Sequence, residues 1–70
     1  MLITKRRFRT PTWDIKEDGA WCRVVQNEDG LFQIDQRTTT YETIEDAATE
    51  GLESCRRFYK NHVLIVGPTR

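Results

Sequence analysis

The side chains able to do chemistry fall into three groups. Lys5, Arg6, Arg7 and Arg9 enclose Phe8 in a run of cations with one aromatic, the composition of an arm that tracks a phosphate backbone. Glu42, Asp46, Glu50 and Glu53 follow steps of four, four and three, so on a helix they line one stripe about 16 Å long. Such a stripe suits a partner with a basic surface, because long-range attraction speeds encounter. Trp13 and Trp21 form the third group, large rigid groups of the kind that anchor interfaces. Catalysis finds little support. The only histidine, His62, falls at the end of a helical pattern, where capping or packing explains it. Gly-x-Ser-x-Gly, a phosphate-cradling glycine loop and His-Glu-x-x-His do not occur. Asp18 and Asp29 each precede glycine, which is ordinary turn chemistry. Cys22 and Cys55 are the only cysteines and belong to no close-spaced pair, so they are expected as reduced, mostly buried thiols without metal. No enzyme activity and no cofactor is expected.

The elements that position these groups can be read from turns and periodicity. Glu17-Asp18-Gly19 and Glu28-Asp29-Gly30 repeat one turn signal between stretches rich in strand formers. The flanking segments Thr12 to Lys16, Ala20 to Gln26 and Leu31 to Arg37 are predicted to form a three-stranded antiparallel meander. Residues 1–11 are left as a basic arm or an extra strand, since alternation is poor in Leu2 to Phe8 and Pro11 interrupts. From Thr43 the period turns helical. Ile44, Ala47, Ala48, Gly51, Leu52, Cys55, Phe58, Tyr59 and His62 recur at three- and four-residue steps, and Thr43 is the natural N-cap. A helix from Ile44 to about Asn61 is expected, then a buried strand over Val63 to Val66, closed by Gly67-Pro68. The whole is an α+β fold in one small domain, a three-stranded antiparallel meander followed by one amphipathic helix and a short C-terminal strand.

Parity decides what the sheet exposes. If both turns are three-residue loops, Trp13, Ile15, Trp21, Arg23 and Val25 share a face with Leu31, Gln33 and Asp35, while Cys22, Val24, Phe32 and Ile34 share the other. One helix covers one face, so Trp13, Ile15, Trp21 and Arg23 would form a docking or homodimer surface. A one-residue difference between the loops would instead flip one strand pair and gather the aromatics into one core.

Lysine plus arginine equal aspartate plus glutamate at 11 each, which argues against a uniformly basic nucleic-acid binder. The charges are nevertheless segregated: residues 1–13 carry +4, residues 14–53 carry −8 and residues 54–70 carry +4. Arg56, Arg57, Tyr59 and Lys60 would extend the basic run only if the fold joins the two ends. No apolar run is long enough for a membrane helix and the start has no secretion-signal pattern, so a cytoplasmic location is expected. In outline, the segments Trp21 to Val25, Gly30 to Ile34 and Tyr41 to Ala47, about half the chain, resemble the arm-binding domains of tyrosine recombinases and the half-domain of HicB-like antitoxins. That is a likeness of shape, and shape does not assign function. The residues favour a non-enzymatic module that binds another protein through a sheet face and the acidic helix, as a small bacterial or phage regulator or inhibitor would. The competing expectation is a nucleic-acid-binding module using Lys5, Arg6, Arg7 and Arg9 with the sheet aromatics.

Overall fold

The computed structural model describes the backbone of residues 1–66 and the side chains of residues 1–58. Five strands run in chain order, β1 (Leu2–Arg6), β2 (Thr12–Glu17), β3 (Ala20–Gln26), β4 (Phe32–Ile34) and β5 (Thr40–Tyr41), followed by one helix, α1 (Ile44–Val66). They form one antiparallel sheet in the order β1-β2-β3-β4-β5. The α+β class is as predicted; the expected three-strand meander lies within a larger sheet of five strands, and its third strand spans only Phe32–Ile34 rather than Leu31 to Arg37. Residues 2–6 resolve as a strand paired with β2, and β5 was not predicted. The C-terminal strand expected over Val63 to Val66 does not form: these residues continue α1. Between Thr43 and Gly67-Pro68 the chain has no proline and a single glycine, Gly51, so no strong breaker ends the helix sooner.

The two Glu-Asp-Gly turns differ, and the difference sets the sheet. At the first, Glu17 pairs with Ala20 across a two-residue loop in which Asp18 (φ 52°) and Gly19 (φ 85°) both take the left-handed conformation of a type I′ turn. At the second, the Asn27 N–H donates to the Leu31 carbonyl at 2.8 Å, enclosing a three-residue loop with Gly30 left-handed. The Asn27 side chain holds that longer loop, its Oδ1 accepting from the Asp29 and Leu31 N–H groups at 2.9 and 3.0 Å.

The register follows: Trp13 opposes Val24, Ile15 opposes Cys22, and Val24 opposes Ile34. Trp13 and Ile15 therefore share the face of Cys22, Val24, Phe32 and Ile34, and α1 covers that face. The surface expected to combine Trp13 and Ile15 with Trp21 and Arg23 does not exist, because one loop is a residue shorter than the other. Ile15 is fully buried, and the core unites it with Ala20, Cys22, Val24, Ala47, Ala48 and Leu52, with Phe32, Tyr41, Ile44 and Cys55 packed around. Trp13 is half-buried at the margin, its ring edge-on to Phe32 at 5.5 Å between centroids and capped by Lys5 Nζ at 5.8 Å.

Three features seat the helix. The Thr43 hydroxyl accepts from the Asp46 N–H at 3.1 Å, the predicted cap. Glu45 and Asp46 in the first turn meet the positive end of the helix dipole. Gly51 lies directly over Cys22: a Cβ at position 51 would stand 2.6 Å from the Cys22 sulfur, so glycine allows the helix its close approach to β3. Burial pushes the Cys22 thiol up to about 11, assisted by the neighbouring Cys55 and Asp14. Among the described residues α1 packs on β3, β4, β2 and β5 but not on β1, and all five residues of β1 are exposed.

Candidate functional site: the uncovered face of the sheet

The face that α1 leaves open is built by alternation from three strands. Cross-strand pairing places Leu2 beside Lys16 and Lys16 beside Trp21 in one row, Thr4, Asp14 and Arg23 in the next, and Arg6, Thr12 and Val25 in the third. Asp14 is the organising acid. Arg23 donates to it through Nε at 2.8 Å and Nη2 at 3.4 Å, and Arg6 Nε approaches the same carboxylate at 3.5 Å. The Arg23 hydrogen bond is the main reason the Asp14 carboxyl lies below its ordinary value, partly opposed by desolvation. The same bond raises Arg23.

Phe8 lies against these cations. The Arg23 and Arg6 guanidiniums sit 5.3 and 5.8 Å from its ring centroid. Phe8 remains 49% exposed, and Lys5, Arg6, Arg7, Phe8 and Pro11 line a shallow depression of about 430 Å³. At the other end of the face Trp21 is 48% exposed, and among the described residues its ring makes no aromatic or cation–π contact. Lys16, Arg7 and Arg9 make no salt bridge among the described residues. The face therefore presents two aromatics among several cations with two acids. Asp14 is paired to Arg23 and Arg6; Asp35 is exposed, its N–H donates to the Arg23 carbonyl, and its charge also favours the Arg23 cation.

The other predicted site residues are scattered. Of the acidic stripe, Asp46, Glu50 and Glu53 lie on the side of α1 away from the sheet, and Glu42 precedes the helix. Arg57 neutralises part of it, reaching Glu50 at 3.3 Å and Glu53 at 3.6 Å. Stripe and open sheet face thus occupy opposite layers, and one flat partner surface cannot engage both. Arg56 approaches Glu17 at the β2–β3 turn, 4.0 Å away, at the end of the sheet remote from Arg6. Arg56 and Arg57 therefore do not extend the basic run, and the side chains of Tyr59, Lys60 and His62 lie outside the described residues. Phe8 was the residue whose role the sequence showed least: its place between two guanidiniums follows only once Arg6 and Arg23 share a face.

Among the described residues no three His, Cys, Asp or Glu side chains converge as metal ligands, and no helix is long and apolar enough to cross a membrane. Comparison with protein-family models, curated proteins and solved structures finds no significant match, so neither likeness of outline gains support.

Proposed function

We propose that this domain binds a nucleic acid on the open face of its sheet, without a catalytic step. The observation that carries the reading is the convergence of Arg6, Phe8, Lys16, Trp21 and Arg23 on one face, with Asp14 as its paired acid. Cations hold phosphates and aromatics accept bases or sugars; sheet platforms use both. Arg7 and Arg9, in the loop beside Phe8, widen the positive surface, while the acids of α1 sit behind it. Charge segregation of this kind orients a neutral protein toward a polyanion.

The test is binding of labelled oligonucleotides across a salt series. About four phosphate contacts give a slope of log K against log salt near −3 for a single strand. Arg7→Glu combined with Arg9→Glu should remove most of the affinity without changing the fold, since both residues are exposed. No binding at low salt would overturn the reading.

A protein partner on the same face is the second reading, and the row Leu2–Lys16–Trp21 favours it. Leu2 is 62% and Trp21 48% exposed, an apolar pair bridged by one lysine stem. In that case the domain acts as a regulator or inhibitor, and its binding responds weakly to salt.

A further inference from the structure

We infer that the nucleic acid taken by this face is a single strand with unpaired bases, and that Trp21 is the residue on which a base stacks. The inference rests on the nucleic-acid reading above and adds the form of the ligand. The two tryptophans carry it by contrast. Trp13 is occupied on both counts, with Phe32 at its edge and Lys5 over its ring. Trp21 has neither kind of contact among the described residues, yet it stands half-exposed on the sheet face that α1 leaves open, with Lys16 beside it across the strands.

A duplex has little use for such a ring. Its bases are paired and stacked, and the grooves present only hydrogen-bonding edges and methyl groups. An unpaired base offers its π-face, and stacking on an aromatic is tolerant of sequence. The rest of the surface agrees. Arg23 stands two residues from Trp21 on the same face, about 7 Å along the strand, and beyond it comes Phe8 with its two guanidiniums. A strand laid from Trp21 toward Phe8 would pass Lys16, Arg23 and Arg6 in turn and end at the cations of the 7–9 loop. Asp14 holds Arg23 and Arg6 between these two ends, acting as a positioning residue.

The experiment compares an oligothymidylate of about 12 nucleotides with a mixed-sequence duplex of equal length, using the wild type, Trp21→Ala and Trp21→Phe. Trp21 is half-exposed on the uncovered face, so an unchanged thermal midpoint checks that both variants fold. The expected result is preference for the single strand, a loss of about five- to a hundredfold in Trp21→Ala, and recovery of most of it in Trp21→Phe. Tryptophan fluorescence should be quenched by the single strand in the wild type and much less in Trp21→Phe. Duplex binding as tight as single-strand binding, or Trp21→Ala weakening neither, would overturn the stacking assignment while leaving phosphate binding intact. Absence of binding to both at low salt would instead remove the nucleic-acid reading itself.

Discussion

The two faces of this sheet share β2 and β3 and differ in what holds them in order. The covered face is small and dry: Ile15, Val24, Ala47, Ala48 and Leu52 are at most 1% exposed, and Gly51 lets the helix settle on Cys22. The open face has no apolar core at all. Its order comes from a carboxylate shared by two arginines and from cations around an aromatic ring. Packing maintains the first face and charge arranges the second, so substitutions on one should spare the property of the other.

Leu52→Ala should break the covered face most severely. It is a fully buried side chain in a core of very few large residues, and the loss should be about 2 to 5 kcal/mol, a large part of a small domain's stability. Chemical denaturation measures it directly. Gly51→Ala comes next, because the new methyl meets Cys22 Sγ and Cβ. Overpacking of this kind costs about 1 to 3 kcal/mol, and Cys22→Ala in the same chain should restore part of it. Thr43→Ala removes the cap on Asp46 and should cost about 1 kcal/mol, visible as a lower thermal midpoint.

The smallest effect belongs to the open face and depends on pH. The Asp14 carboxyl is depressed in the folded protein, so its contribution is present above the ordinary carboxylate value of 3.8 and is lost as pH falls through the lower folded value. Asp14→Asn should therefore lie closer to wild type in midpoint at low pH than at neutral pH. An equal gap at both would show that the Arg23 pair contributes nothing. Cys22 supplies a separate probe of the covered face. With its thiol held near 11 and buried, alkylation at neutral pH should follow global opening, and denaturant should accelerate it steeply.

Much of this division was legible in the residues. The helical steps from Ile44 to Cys55, the Thr43 cap and the strands at Thr12 and Ala20 were visible, because periodicity and capping are local, whereas the third strand is shorter than the segment Leu31 to Arg37 suggested. The faces were harder to assign, since identical Glu-Asp-Gly triplets close loops of different length. The distinguishing signal is Asn27, whose side chain accepts two backbone N–H groups of the longer loop, whereas Gln26 and Asn27 have no counterpart before the shorter one, where Lys16 and Glu17 stand. The shorter first loop is what moved Trp13 and Ile15 to the core side, while the three-residue second loop left Trp21 and Arg23 on the face opposite Phe32 and Ile34, where parity had placed them. The apolar run at 63–66 suggested a strand because short apolar runs read equally well either way. With no breaker before Gly67, the helix continues through it. The two-residue β5 is too short for any pattern to reveal.

The most direct test of the separation is to make Trp13→Ala and Trp21→Ala and measure both thermal midpoint and oligonucleotide affinity for each. Trp13→Ala should lower the midpoint by several degrees, in line with about 4 to 8 °C per kcal/mol for a domain of this size, with affinity retained below the transition. Trp21→Ala should leave the midpoint within a degree or two while weakening single-strand binding at least fivefold. The reverse pattern, Trp21 required for folding and Trp13 for binding, would contradict the assignment of the two faces.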